Sequence, residues 1–117
     1  MTEAPRRILL VEDEPMIAFA LEDMVIEMGY SVVGPAFRLA EALDLAGSER
    51  FEAAVLDVNL NEQRSFPVAD LLRERGIPFL FATGYAEGGV GWNGKAIVIA
   101  KPYSRDQLAR AIAGLLA

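Results

Sequence analysis

Apolar residues fall along this chain in two alternating rhythms. Short continuous runs recur at Ile8 to Val11, Val32 with Val33, Ala53 to Leu56, Phe79 to Ala82 and Ala96 to Ala100. A strand with one wet face alternates apolar and polar residues, so unbroken runs mark strands buried on both faces, as in a parallel sheet. Between the runs the spacing turns helical: Ile17, Leu21, Met24, Val25 and Met28, then Leu39, Ala42, Leu43 and Ala46, then Val68, Leu71 and Leu72, and last Leu108, Ile112, Leu115 and Leu116. Pro15 suits a first helical turn, Ser104 with Gln107 three residues on reads as a capping box, and Gly29, Gly47 and Gly76 stand where helices should end.

This order is β-α repeated five times, which predicts a doubly wound α/β fold of the flavodoxin-like (βα)5 class. Right-handed crossovers would place its five parallel strands in the order 2-1-3-4-5. One unit breaks the rhythm. The stretch from Ala86 to Gly94 holds four glycines and no apolar repeat, and each glycine inside a helix costs about 0.8 to 1.0 kcal/mol against alanine. The fourth helix is therefore expected to be weak or missing, and residues 86–94 to be the most mobile part of the domain, with Val90 and Trp92 as the available anchors.

Length and composition narrow the field of functions. The 117 residues suffice for one core, and without a linker, repeat or low-complexity tract they read as a single domain, 1–117, with no output domain. Met1 and an ending in the last helix favour a complete single-domain protein. No cysteine and no histidine are present, which removes thiolate chemistry, the commonest zinc ligands and the commonest general base. A net charge of −6 argues against direct nucleic-acid binding, which needs a concentrated cationic surface. Nothing reads as a signal peptide or a membrane span, so the expected location is cytoplasmic.

In an open α/β sheet the functional crevice lies beyond the carboxyl ends of the strands, where the strand order reverses. Here that point falls between the first and third strands. Glu12, Asp13 and Glu14 follow the first, and Asp57 closes the third. Glu14, just before Pro15, reads as a helix-cap or loop charge. Glu12, Asp13 and Asp57 together are harder to dismiss, since neighbouring carboxylates repel unless a cation lies between them. Lys101, closing the fifth strand, is one cation able to reach them. Three carboxylates and one ammonium still leave two negative charges, which one Mg²⁺, a hard ion that prefers oxygen ligands, would neutralise. A carboxylate beside a metal and a lysine is suited to attack phosphorus, giving an aspartyl phosphate. Asp57 is the candidate nucleophile: at an unperturbed pKa of about 3.9 it is already ionised at neutral pH and needs no general base. Thr83, at the end of the fourth strand, offers a hydroxyl to the same phosphoryl group.

Glu12-Asp13, Asp57, Thr83 and Lys101-Pro102, in this order and on these strand ends, resemble the signature of response-regulator receiver domains, and the resemblance covers the entire chain. It implies that Asp57 is the phosphoacceptor and that Glu12 and Asp13 organise Mg²⁺ with Asp57. It further implies that Asn59 lends its backbone carbonyl to the metal, that Thr83 and Lys101 bind the phosphoryl group, and that the Lys101-Pro102 peptide is cis. The string Pro78-Phe-Leu-Phe-Ala-Thr-Gly-Tyr85 is similar to the Pro-Phe-x-Phe-Ala-Thr-Gly-Tyr motif of the "FAT GUY" response regulators, many of which are isolated receivers. That resemblance implies a sensor histidine kinase or a histidine phosphotransfer protein as partner, and a place in phosphorelay signalling.

Two departures from the receiver pattern stand out. The aromatic switch residue usual three positions before the lysine is Val98 here, which leaves Tyr85, two residues beyond Thr83, as the candidate switch. The glycine-rich fourth unit is the other. Rival functions fit less well. A flavin binder needs a glycine- and hydroxyl-rich loop where this chain has acids, and a magnesium phosphohydrolase would need a cap and a general acid. The nearest alternative is a receiver-like interaction module that works without phosphorylation, against which the joint presence of Asp57, Thr83 and Lys101 argues.

Overall fold

A computed structural model describes residues 4–84 and 91–117. The elements run β1 (Arg7–Val11), α1 (Pro15–Glu27), β2 (Ser31–Ala36), α2 (Leu39–Ser48), β3 (Ala53–Asp57), the two-residue strands β4 (Asn59–Leu60) and β5 (Gln63–Arg64), α3 (Phe66–Arg75), β6 (Phe79–Thr83), β7 (Ile97–Ala100) and α4 (Arg105–Leu116). The main sheet is parallel in the order β2-β1-β3-β6-β7. Counting its strands alone, this is the expected 2-1-3-4-5. β4 and β5, which the sequence pattern did not signal, form a separate antiparallel hairpin.

The unbroken apolar runs arise because both faces of the sheet are covered. Ile8 and Leu10 of β1 pack with Leu21 and Val25 of α1 and with Leu108 and Ile112 of α4. Leu9 and Val11, on the opposite side by strand alternation, pack with Ala42 and Ala46 of α2 and with Val68, Ala69 and Leu72 of α3. The caps follow the sequence as well. Ser104 accepts from the Gln107 amide while the Gln107 side chain accepts from the Ser104 amide, and Gly76 closes α3 in the left-handed region at φ 70°. At Gly47 the structure differs by one residue, since α2 runs on to Ser48.

β2 is longer than Val32 and Val33 alone predicted, and it bends. Its register against β1 shifts between Leu9 and Val11, and Gly34 has φ +93°. A Cβ at Gly34 would lie 2.7 Å from the Ala36 amide nitrogen and 3.0 Å from the Leu10 carbonyl. Only glycine permits that approach. The Gly34-Pro35 peptide is cis, as is Lys101-Pro102.

β7 corrects a sequence expectation. Its apolar run resembled a strand buried on both faces, yet Ile97 is 44% exposed and Ala100 is exposed too. It is an edge strand, and no helix is described between β6 and it, although residues 85–90 lie outside the described part of the chain. Trp92 supplies cover on this flank. Its ring meets Phe79 and Phe81 edge to face at 5.2 and 5.8 Å, and its indole nitrogen donates to Asp70 Oδ1 at 2.9 Å. The Arg73 guanidinium lies over the same ring at 4.8 Å and donates to the Asn93 carbonyl at 2.7 Å. Of the segment expected to be loosely held, residues 91–94 are thus fastened to α3, while 86–90, including Val90, lie outside the described residues.

Candidate functional site

The sheet register brings the site together. Val11 pairs with Leu56, Asp57 with Ala82 and Thr83 with Ala100, so Glu12, Asp57, Thr83 and Lys101 all fall at the same carboxyl edge. The chain stays in register across that edge: the Lys101 amide donates to the Thr83 carbonyl at 2.9 Å, and the Glu12 amide to the Ala36 carbonyl at 2.9 Å. Glu12 and Thr83 are 2% and 3% exposed and Asp57 is 9% exposed. The Lys101 ammonium donates to Glu12 Oε2 at 2.7 Å and stands 3.3 Å from Asp57 Oδ2. Its long aliphatic stem carries the charge from β7 across β6 to the crevice.

Carboxylate oxygens of Glu12, Asp13 and Asp57 lie within 4.8 Å of one another. Burial is the main force raising the Asp57 carboxyl, to about 7, with the negative charge of Glu12 adding to it and Lys101 holding it down. Lys101 is itself disfavoured as a cation by burial. Its hydrogen bond to Glu12 and the charges of Asp57 and Glu12 outweigh that effect and raise its pKa above the ordinary value. One ammonium is therefore not enough for the acids it faces. A divalent cation with oxygen preference fits what is missing: hard donors, close together, with uncompensated negative charge.

Asn59 opens the β4–β5 hairpin directly beyond Asp57, and its side-chain oxygen accepts from Arg64 Nη1 at 2.7 Å. The Asn61 amide of the turn donates to Asp13 Oδ2 at 3.0 Å. Asn61 and Glu62 both have positive φ, 50° and 70°, the conformation of a two-residue hairpin turn of the primed kind. The sequence hid this turn because it lacks glycine; asparagine tolerates the left-handed region and glutamate rarely does. Arg64 and Asn61 are therefore site neighbours that sequence reasoning missed. So is Tyr103, whose hydroxyl burial pushes up to about 12, with Lys101 opposing. Glu14 sits at the N-cap of α1 without a side-chain cap bond, and its amide donates to Glu12 Oε1 at 3.4 Å. Tyr85, the candidate switch, lies outside the described residues.

Comparison with known proteins agrees with this architecture. The description of the response regulator receiver domain matches residues 8–113. The phyllosphere-induced regulator PhyR of Methylorubrum extorquens is 33% identical over 93% of this chain and 43% of its own length. The transcriptional regulatory protein PdtaR of Mycobacterium tuberculosis is 29% identical over 92% of this chain and 55% of its own. The chain thus spans about half the length of the curated relatives it matches. Among solved structures, SdrG from Sphingomonas melonis superposes with a TM-score of 0.83 at 40% identity, over 99% of this chain and 100% of that one. The receiver domain of sensor histidine kinase PA1611 from Pseudomonas aeruginosa, with magnesium coordinated in its active site cleft, gives 0.83 at 27% identity over 97% and 98%. With a parallel 2-1-3-4-5 sheet, acids gathered at its order-reversal point and the family match extending over residues 8–113, the chain belongs to the response regulator receiver domains of two-component signalling systems.

Proposed function

We propose that this receiver takes a phosphoryl group onto Asp57 from a histidine kinase or histidine phosphotransfer protein, with Mg²⁺ present, and signals by the conformational change that follows. The observation that carries the reading is the meeting of Asp57 with both an ammonium at 3.3 Å and two further carboxylates within 4.8 Å. An Asp57 oxygen attacks the donor's phosphorus as the bond from phosphorus to the donor breaks. Lys101, already held between Glu12 and Asp57, pairs with the phosphoryl oxygens, and the Thr83 hydroxyl donates to them. Glu12, Asp13, Asp57 and the Asn59 carbonyl would hold the metal, which supplies charge neutralisation at the phosphoryl oxygens when bound.

The motif from Pro78 to Tyr85 supports membership of the "FAT GUY" group. Among the described residues no helix is long and apolar enough to cross a membrane.

Incubation with acetyl phosphate or phosphoramidate and Mg²⁺, followed by intact mass measurement, tests the reading. One phosphoryl group per chain is expected for the parent and none for Asp57→Asn, and a chelator should abolish labelling. Labelling of Asp57→Asn, or labelling indifferent to chelation, overturns the mechanism. A parent that stays unlabelled supports instead the interaction module that works without phosphorylation.

A further inference from the structure

The three acids of the crevice are unevenly compensated. Lys101 meets Glu12 Oε2 at 2.7 Å and Asp57 Oδ2 at 3.3 Å, but among the described residues no cation pairs with Asp13. An oxygen of its carboxylate nevertheless lies within 4.8 Å of the other two, and Asp13 is the least buried of the three. Repulsion from two buried acids would drive the most exposed one outward, where other rotamers are open to it. One contact opposes this: the Asn61 main-chain amide donates to Asp13 Oδ2 at 3.0 Å.

That amide is aimed by the hairpin around it. Leu60, immediately before it, is 0% exposed in the core under α2 and α3 and pairs with Gln63. Behind the turn the Ser65 amide closes onto the Val58 carbonyl at 2.8 Å. Asn61 itself has φ 50°, and its Nδ2 donates to the Phe37 carbonyl, in the loop after β2, at 3.4 Å. Phe37 is fixed in turn, its amide donating to Glu41 Oε1 at 3.0 Å and its ring lying edge-on to Phe19 of α1 at 6.0 Å. The left-handed backbone and the side-chain tether both suit asparagine. Proline, with its φ fixed on the negative side and no N–H, could supply neither.

An ionised carboxylate has two oxygens with several acceptor sites, so one N–H on Oδ2 leaves room for a cation on the same group. Hydrogen bonds made to a metal's ligands orient those ligands, and removing them costs about 10- to 100-fold in metal affinity. We infer that Asn61 is a positioning residue for the divalent cation: its main-chain amide, aimed by the glycine-free turn, holds Asp13 beside Glu12 and Asp57 before the metal arrives and stays bonded to it afterwards. The ordering of the third carboxylate is then met by the fold rather than by the binding step. The inference rests on the reading of Glu12, Asp13 and Asp57 as the residues that hold the metal.

The test is a Mg²⁺ titration of the metal-free chain, followed by the NMR shifts of the amides of residues 12–13 and 57–60, which gives a Kd for each variant. Asn61→Pro combined with Glu62→Gly makes a turn that proline can occupy but removes the donor, and should weaken Mg²⁺ binding about tenfold. Asn61→Gly keeps the donor and the positive φ while losing the tether, and Glu62→Gly alone leaves the Asn61 amide in place, so both should bind Mg²⁺ within about twofold of the parent. Parental affinity in the proline variant overturns the inference. So does an Asn61→Gly chain that loses as much as the proline variant, since the shape of the turn rather than its N–H would then hold Asp13. Hydrogen exchange on the parent tests the same bond if the proline variant does not fold: the Asn61 amide should exchange about tenfold or more slowly than that of its exposed neighbour Glu62, with and without Mg²⁺. Equal rates in either condition overturn the inference. If Mg²⁺ shifts no amide of the parent, the metal reading itself fails and this inference falls with it; a parent that binds Mg²⁺ no better than the proline variant sinks the inference alone.

Discussion

The two flanks of the sheet's carboxyl edge are held by opposite physics. At the β1–β3 crevice, Glu12 and Asp57 are buried acids facing a single ammonium, and burial above all, with the charge of Glu12 added, pushes the Asp57 carboxyl up to about 7. At the β6–β7 flank, Trp92, Phe79 and Phe81 stack edge to face over α3, and the polar ends of the cluster are matched: indole to Asp70, Arg73 to the Asn93 carbonyl. The first region gathers like charge in a buried place, the second apolar rings with their polar ends paired. Phe81 belongs to both, because its neighbours in register are Leu56, just before Asp57, and Val98, the position where receivers usually carry an aromatic switch. Trp92 and Val98 pack against the same core cluster, so the indole adds apolar bulk on the face where Val98 leaves little.

The largest expected effect breaks the comparison at its charged end. Asp57 titrates near 7 in the folded chain against an ordinary value of 3.8. Between those values the folded state holds more protons than the unfolded one. In the absence of metal, stability is therefore complete below the lower value and falls as pH rises through the upper one. Asp57→Asn should remove roughly 2 to 4 kcal/mol of that fall. Urea unfolding with chelator at about pH 4 and about pH 8 measures it. Equal pH dependence in parent and variant would show that the crevice carries no electrostatic load. Mg²⁺ should restore the parent's stability at the higher pH, since it binds the ionised folded form.

Trp92→Ala breaks the comparison at its aromatic end. The ring is half-buried, so the loss should be about 2 kcal/mol, below the range for a fully buried tryptophan. Phosphorylation by acetyl phosphate should persist in it, because no site carboxylate is touched. A variant that melts like the parent would mean that the flank does not depend on its aromatic cluster. Gly94 offers a check by a different route, since a Cβ there would come within 2.5 Å of the indole.

A smaller effect sharpens the crevice side. Glu62 adopts φ 70° in the hairpin turn, a conformation that costs a side chain about 1 to 2 kcal/mol, part of which glycine gives back through a freer unfolded chain. Glu62→Gly should stabilise by about 0.5 kcal/mol, read as a raised urea midpoint. Destabilisation instead would indicate that the Glu62 side chain, rather than the backbone alone, supports the turn.

Much of this was legible in the chain itself. The runs at Ile8, Ala53 and Phe79 read correctly as buried strands because helices cover both faces of the inner strands, and the Ser104–Gln107 box and Gly76 read correctly as caps because capping is local chemistry. The same rule misread β7. A continuous apolar run records which residues avoid charge, not whether a helix lies over them, and Ile97 lies exposed at the sheet edge. The hairpin from Asn59 to Arg64 was illegible because its turn has no glycine and its strands are too short to show a period.

By itself the sequence determined the doubly wound order, the place where strand direction reverses, and the identity of the acids and the lysine gathered there, since strand ends and helix caps are fixed by neighbours a few residues apart. Only the tertiary structure decided that Lys101 divides its charge between Glu12 and Asp57, that Arg64 takes the oxygen of Asn59, and that Trp92 closes onto α3. Those outcomes depend on distances between residues up to 89 positions apart. Such distances are set by how the layers pack and by which buried charge lies nearest, and no local pattern carries them.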